Sequence, residues 1–144
     1  MKISQKGIDL IKRFEGFRSK PYQDAAGVWT IGYGSTRGVT QTMKEITEAE
    51  GERMLREAVA ADERQLAGFL PTTLTQNQYD AICSFVYNVG VAAFRNSTLF
   101  RLVCTFPDDG KRIKAEFGRW VHAGGKRLDG LVARRAAEAE LYLS

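Results

Sequence analysis

The chain has 144 residues, of which 44% are hydrophobic and 26% are charged, and its formal net charge is +4. This length fits one compact domain, and the hydrophobic fraction excludes an intrinsically disordered chain. The positive excess suits a polyanionic partner such as an acidic cell wall, and it suits simple solubility equally well.

The first predicted element is a helix over residues 4–15. Apolar residues recur at helical spacing from Ile8 to Phe14, and Gly16 is expected to end the helix. Glu15 would therefore lie at the carboxyl end of this helix.

Residues 17–40 break into short aromatic and β-branched runs separated by glycines. This pattern predicts a small antiparallel hairpin sheet, with the AAG segment at 25–27 as its turn.

A long helix is predicted over residues 47–69. Thr47 and Glu50 have the spacing of a capping box, in which each side chain binds the other residue's backbone N–H group, and Pro71 follows the helix.

A second capping box, Thr75 with Gln78, opens an apolar helix that Gly90 is expected to end. Shorter helices are predicted over 91–105 and 108–121, and a last amphipathic helix over 130–143.

These elements predict a mostly helical α+β fold with two lobes in a single domain, 1–144. A small lobe would span about 14–46, and a connecting helix about 47–69. A helical lobe would span about 70–144, with helix 4–15 packed against it. Two lobes joined by one helix leave a cleft between them.

The sequence gives no support for a metal site, a nucleic-acid partner or a targeting signal. Cys83 and Cys104 lie in apolar runs, which predicts buried thiols, and His122 is the only histidine. No metal site and no cofactor are therefore expected. No nucleic-acid motif is present, so we expect no nucleic-acid partner. The chain shows no signal peptide and no transmembrane run, so synthesis in the cytoplasm without stable membrane insertion is expected.

Glu15, Asp24 and Thr30 are the candidate catalytic residues. Glycosidic hydrolysis needs one protonated carboxyl group and one charged carboxylate in different environments. Glu15 has phenylalanine neighbours that favour its protonated form, whereas Asp24 lies in a polar turn. Thr30 would hydrogen-bond the attacking water. A Glu nine positions before an Asp also fits ordinary surface charge, so the spacing alone does not decide.

The whole pattern is more specific than this pair. It resembles the catalytic signature of phage-type lysozymes, the endolysins of glycoside hydrolase family twenty-four. In this signature eight residues separate Glu15 from Asp24, five residues separate Asp24 from Thr30, and GYG follows. LTQNQYDAICSFVYNVGVAAFRNSTL at 74–99 and FGRWVHAGGKRLDGLVARRAAEAELYL at 117–143 resemble further segments of the same family.

The resemblance implies a muramidase that hydrolyses the β-1,4 bond between N-acetylmuramic acid and N-acetylglucosamine in bacterial peptidoglycan. It implies Glu15 as the general acid, Asp24 as the carboxylate that directs water, and Thr30 as its partner. The glycan strand would lie in the cleft, and host lysis would follow.

The resemblance also implies sugar contacts and a partner for the acid. The implied substrate-binding residues are Thr36, Tyr87, Asn88 and Ser97. Either arginine of the Arg134–Arg135 pair is a candidate to approach Glu15, and the sequence does not choose between them.

Many relatives carry His after the second glycine of GYG, where this chain has Ser35. We expect this difference to affect local packing rather than chemistry. Some relatives begin with a membrane-inserted export segment that this sequence does not show, so release to the wall by a separate holin is expected. A monomer is the default expectation.

Three alternatives remain at this stage. A lytic transglycosylase would cleave the same bond without water, a wall-binding module would need no Glu15, and a basic amphipathic segment at 111–121 would act on membranes directly.

Overall fold

The computed structural model describes residues 1–144 and contains seven helices and two small antiparallel sheets. The helices are α1 (Gln5–Glu15), α2 (Glu48–Leu66), α3 (Gln76–Val89), α4 (Val91–Arg95), α5 (Thr98–Thr105), α6 (Gly110–Phe117) and α7 (Asp129–Leu143). The strands are β1 (Arg18–Gln23), β2 (Trp29–Gly32), β3 (His122–Ala123) and β4 (Lys126–Arg127). The mostly helical α+β prediction is confirmed.

The predicted hairpin forms from β1 and β2, which pair antiparallel with Tyr22 opposite Thr30. The chain reverses between the strands, where the N–H group of Gly27 donates to the carbonyl oxygen of Asp24 at 2.9 Å. The AAG turn is therefore confirmed. It places Asp24 at the tip of the small lobe.

The connecting helix α2 begins with half of the predicted capping box. The Thr47 hydroxyl oxygen accepts a hydrogen bond from the N–H group of Glu50. The reciprocal half is wrong, because the Glu50 carboxylate binds the Thr47 hydroxyl instead of the Thr47 N–H group. The capping box of α3, from Thr75 to Gln78, is complete as predicted. α2 ends at Leu66, three residues before the predicted end at 69.

α2 lies directly against β2 because two glycines meet there. A Cβ atom on Gly32 would lie 3.3 Å from the Cα atom of Gly51, and one on Gly51 would lie 2.7 Å from the ring of Phe17. A larger residue at position 51 would have to displace Phe17 or separate the two elements. This contact fixes the small lobe on the connecting helix.

The chain packs around two hydrophobic cores. The larger core surrounds α3, where the ring of Phe85 meets those of Phe117 and Trp120 edge-on, at 5.6 and 5.4 Å between centroids. Such edge-on aromatic pairs stabilise a core beyond the area that they bury. The smaller core joins α1 to α2 through Ile8, Leu55 and other apolar residues.

The helical lobe differs from the sequence-based expectation in three places. The helix predicted over 91–105 is divided because the side chain of Ser97 caps α5 by accepting from the N–H group of Phe100. The next helix ends at Phe117, and a short hairpin of β3 and β4 follows, which was not predicted. Cys104 is exposed, so only Cys83 fits the expectation of a buried thiol.

The buried face of α7 carries charged residues beside apolar ones. Arg134, Arg135 and Glu138 are 4% exposed or less, and Ala139 and Tyr142 are each 2% exposed. None of the helices combines the length and the apolar character needed to span a membrane.

Candidate active site

Glu15 is the last residue of α1, and its side chain is 20% exposed. Its Oε2 atom accepts a hydrogen bond from Nη1 of Arg134 at 2.7 Å. Of the two arginines that the sequence left open, Arg134 is therefore the one that meets Glu15. This short contact between charged groups fixes the direction in which the Glu15 carboxyl group points.

Arg134 is held by contacts on three sides. Besides Glu15, it donates from Nη2 to the carbonyl oxygen of Ser84 at 3.1 Å and from Nε to the carboxylate of Glu138 at 3.2 Å. Glu138 also lies 3.2 Å from Nε of Arg135. Burial raises the pKa of Glu138 and lowers that of Arg135. The buried network therefore fixes the guanidinium group that faces Glu15.

Gly34 lies against the other side of the Glu15 carboxyl group. A Cβ atom at position 34 would lie 2.6 Å from Oε1 of Glu15, and the φ angle of Gly34 is +78°. Only glycine satisfies both constraints without strain. The carboxyl group is thus confined between the guanidinium of Arg134 and the backbone that follows β2.

Asp24 is exposed and is oriented by its own loop. Its Oδ1 atom accepts from the N–H groups of Ala26 and Val28, both at 2.9 Å. Its Oδ2 atom is left for other partners. This arrangement keeps one carboxylate oxygen available in a fixed direction.

Thr30 is connected to Asp24 through Val28. The Thr30 hydroxyl donates to the carbonyl oxygen of Val28 at 2.9 Å, and the N–H group of Val28 binds Asp24. Thr30 is only 4% exposed. Its contact therefore helps to hold the loop, and its proposed bond to water would require the hydroxyl to turn.

A cavity of about 350 Å³ lies between the small lobe and α2. Its walls are the loop residues 34–37, one face of α2 from Met54 to Gln65, and Tyr87. Two of the predicted sugar contacts, Thr36 and Tyr87, line this cavity. We call it the interlobe cleft.

Tyr87 connects the interlobe cleft to the candidate acid. Its hydroxyl donates to the carbonyl oxygen of Tyr33 at 2.6 Å. Burial and, secondly, the charge of Glu15 raise the pKa of Tyr87. Gly34 makes the same connection, because it lines the cleft and contacts Glu15. The side chains of Glu15, Asp24 and Thr30 lie outside the cleft lining.

The other two predicted sugar contacts lie elsewhere. Asn88 is exposed and accepts a hydrogen bond from Nη2 of Arg135. Ser97 is buried, donates to the carbonyl oxygen of Phe94, and borders a separate cavity of about 380 Å³ beside Trp120. Their contacts with sugar stay predictions.

Three cleft residues had no role in the sequence-based hypothesis. Asp62 and Gln65 belong to the face of α2 that lines the cleft, and Ser35 faces them from the small lobe. The cleft-lining polar residues between Met54 and Gln65 recur at helical spacing, so they share one face of α2. That periodicity was the signal in the sequence by which they could have been found. No group of three or more His, Cys, Asp or Glu side chains is arranged to hold a metal ion.

Comparison with known proteins gives concordant matches. The profile of the family described as "Phage lysozyme" matches residues 12–138. The endolysin of Acyrthosiphon pisum secondary endosymbiont phage 1 is 46% identical, over 100% of this chain and 99% of that protein. The endolysin of Bacillus phage PZA is 43% identical, and this chain spans 56% of its length. The muramidase domain of SpmX from Asticaccaulis excentricus has a TM-score of 0.88 at 33% identity, over 99% of this chain and 98% of that one.

Proposed function

The chain belongs to the phage lysozyme family, and we propose that it is an endolysin that hydrolyses bacterial peptidoglycan. Within that activity, it acts as a muramidase on the β-1,4 bond between N-acetylmuramic acid and N-acetylglucosamine. The observation that carries the proposal is the position of Glu15, which is partly buried at the end of α1 and confined between Arg134 and Gly34, beside the cleft.

In the proposed reaction, Glu15 donates its proton to the glycosidic oxygen as the bond from this oxygen to the anomeric carbon breaks. Asp24 accepts a proton from a water molecule, which adds to the same carbon from the opposite face. One water is consumed, and each product gains a hydroxyl group at the broken bond. Attack from the opposite face inverts the anomeric carbon.

The loop around Asp24 supports this assignment. Two backbone N–H groups hold Oδ1, so that Oδ2 is free to bind water, and Thr30 fastens the same loop through Val28. The catalytic base is therefore oriented before substrate binds, which reduces the reorganisation needed in the transition state.

Glu15 must carry its proton when it acts, and Arg134 and Gly34 hold its carboxyl group in place beside the cleft. Thr36 and Tyr87 are the proposed sugar contacts in the cleft. Release through a separate holin stays a prediction.

Clearing of turbidity by permeabilised bacterial cells tests the proposal. We expect the wild-type chain to clear the suspension, and Glu15→Gln and Asp24→Asn to lose clearing while keeping the wild-type circular dichroism spectrum. Full clearing by Glu15→Gln would contradict the proposal and would point to wall binding or direct membrane damage instead.

A further inference from the structure

Asp62 presents a carboxyl group to the interlobe cleft without a partner in the protein. It lies on the face of α2 that lines the cleft, and it is half-buried. Burial and, secondly, the neighbouring charge of Glu63 raise the pKa of Asp62 to about 6, and no hydrogen bond or ion pair opposes these effects. A carboxylate in this position is destabilised unless the cleft's occupant supplies a hydrogen-bond donor.

Ser35 gives an independent sign that the cleft is built for a polar ligand. It is 7% exposed and lines the same cavity, yet its hydroxyl oxygen makes no hydrogen bond of normal geometry. The Tyr87 hydroxyl is close to it but donates to the carbonyl oxygen of Tyr33 instead. Buried hydroxyl groups nearly always have a partner, and a ligand in the cavity would give Ser35 the well-aligned partner that Tyr87 does not provide. Ser35 and Asp62 reach this cavity from the small lobe and from α2.

The rest of the cleft lining matches a saccharide. Met54, Ala58 and Ala61 provide apolar surface on α2, and Tyr87 provides an aromatic ring. A pyranose ring has apolar C–H faces and an edge of hydroxyl and acetamido groups, so it needs a wall of both kinds. Its hydroxyl and amide N–H groups are the donors that an unpaired carboxylate lacks.

We propose that Asp62 is a substrate-binding residue whose carboxylate accepts a hydrogen bond from a hydroxyl or acetamido N–H group of an N-acetylated sugar in the interlobe cleft. This inference rests on the proposed function, because it identifies the wall of the cleft that holds the glycan. It also explains why an unpaired, half-buried carboxyl group is found at this place on α2.

The inference predicts pH-dependent binding with a defined sign. The ionised form of Asp62 is the stronger acceptor, so affinity rises as the pH rises through about 6. The groups that face Asp62 from α3 stay neutral in this range, because burial raises the pKa of both Cys83 and Tyr87. Glu63, on α2 itself, is held by the Tyr79 hydroxyl at 2.7 Å.

The remaining charged groups of the cleft are Glu57 on α2 and Arg37 on the loop opposite. Glu57→Gln is measured alongside, so that its contribution to the pH dependence can be subtracted.

The experiment is calorimetric titration with a peptide-free β-1,4-linked oligomer of N-acetylglucosamine, performed in the Glu15→Gln background to prevent cleavage. We expect Asp62→Ala to weaken binding at pH 7.5 by roughly tenfold or more, as for loss of a hydrogen bond to a charged group. Asp62→Asn, which keeps an acceptor oxygen, should weaken it less and should abolish the change in affinity between pH 5 and 7.5.

Asp9→Asn is the matched control, because Asp9 is exposed on α1 and binds only Gln5. It should leave both the affinity and its pH dependence unchanged. Binding to the Asp62 variants that stays within twofold of the parent, with the same pH dependence, would overturn the inference. Failure of the parent to bind the oligomer would overturn it as well. A second titration uses a stem peptide that carries a free amine, and the inference is also overturned if only the binding of that peptide depends on Asp62.

Hydrolysis of purified peptidoglycan by the otherwise unaltered chain is measured in parallel. A chain that hydrolyses peptidoglycan but ignores the Asp62 substitutions refutes only the inference. A chain that hydrolyses nothing refutes the proposed function, whereas Asp62-dependent binding of the oligomer by that chain would still support the sugar contact.

Discussion

Arg134 on the last helix donates a hydrogen bond to Glu15 on the first helix, at 2.7 Å, although 119 positions separate them in the sequence. The contact joins the two ends of the domain at the candidate acid. Because Arg134 is buried and also bound to Glu138 and to the backbone of Ser84, its position is set by the core of the helical lobe. The orientation of Glu15 therefore depends on the fold of the whole chain.

The first prediction concerns the acid itself. Glu15→Gln should reduce turnover of peptidoglycan by at least about a thousandfold, because an amide cannot donate a proton to the leaving oxygen. Its thermal midpoint should stay within a few degrees of the wild type, since an amide can still accept from Arg134. Glu140→Gln removes a carboxylate from the exposed side of α7 and should retain full activity. Equal losses in the two variants would contradict the role of Glu15.

The second prediction separates the two functions of Asp24. Asp24→Asn keeps an oxygen that can accept from Ala26 and Val28, so the loop should stay ordered while the charge is lost. Asp24→Ala loses the loop contacts as well. We expect hydrolysis to be lost in both variants, and the thermal midpoint to fall only for Asp24→Ala. Near-normal hydrolysis by Asp24→Asn would refute the assignment of Asp24 as the base.

The third prediction uses two glycines with similar backbones. Gly34 and Gly38 have φ angles of +78° and +70°, so alanine is strained by a similar amount at either position. Only at position 34 would the added Cβ atom collide with Glu15, because nothing lies within 4 Å of a Cβ atom at position 38. We expect both variants to lose about 1 kcal/mol of stability.

The activities of these two variants should differ strongly. Gly34→Ala should lower kcat by one or two orders of magnitude, since roughly an ångström of misplacement has that effect on catalysis. Gly38→Ala should keep nearly wild-type kcat. The comparison requires steady-state kinetics at a temperature where both variants are folded, and equal kcat values would show that the contact between Gly34 and Glu15 is unimportant.

The fourth prediction concerns the buried charges of α7. Glu138→Ala should destabilise the protein by about 3–5 kcal/mol, because it leaves Arg134 and Arg135 buried with too few partners. Glu140→Ala, two positions further along the same helix and exposed, should change stability by no more than about 0.5 kcal/mol. Urea denaturation measures both. A small effect of Glu138→Ala would show that water reaches the network.

The fifth prediction is a stability change at Asp62. The pKa of Asp62 is about 6 in the folded chain, whereas the ordinary value of 3.8 applies to the unfolded chain. The folded state therefore holds this proton more tightly than the unfolded state does. Below pH 3.8 the group is protonated in both states, and above pH 6 the folded state carries the full effect of desolvation. The contribution of Asp62 to the free energy of unfolding therefore falls as the pH rises from about 3.8 to 6.

Asp62→Asn should accordingly raise the thermal midpoint at pH 7.5 and leave it unchanged at pH 3.5, provided that the chain is still folded there. Asp9→Asn should raise it at neither pH. A variant that is more stable yet binds sugar more weakly would mark Asp62 as a residue retained for function. A lower midpoint at pH 7.5 would show that the carboxylate has a stabilising partner.

Local sequence signals predicted the parts of the fold whose causes are local. The capping box at Thr75 and the glycine after Glu15 act within one turn of a helix, so they could be recognised without a structure. The hairpin turn after Asp24 is local in the same sense. These features also gave the positions of the candidate acid and base along the chain.

Features that depend on distant parts of the chain were not predictable in this way. Arg134 and Glu138 lie on the inner face of α7, where helical periodicity favours apolar residues. Their burial is made acceptable by the ion pair between them, by the contacts of Arg134 with Glu15 and the Ser84 carbonyl oxygen, and by the bond from the Ser84 hydroxyl to Glu138. The partial burial of Asp62 likewise depends on the packing of α2 against other elements. The hairpin of β3 and β4 was missed because its strands have two residues each.

Mass and anomeric analysis of the products formed from purified peptidoglycan distinguishes hydrolysis by Glu15 and Asp24 from cleavage without water. We expect muropeptides with a hydrated reducing end, formed initially with inverted anomeric configuration, and no such products from Glu15→Gln or Asp24→Asn. Anhydro products lighter by one water, formed equally well by Asp24→Asn, would contradict hydrolysis and leave Glu15 as the only essential carboxyl group.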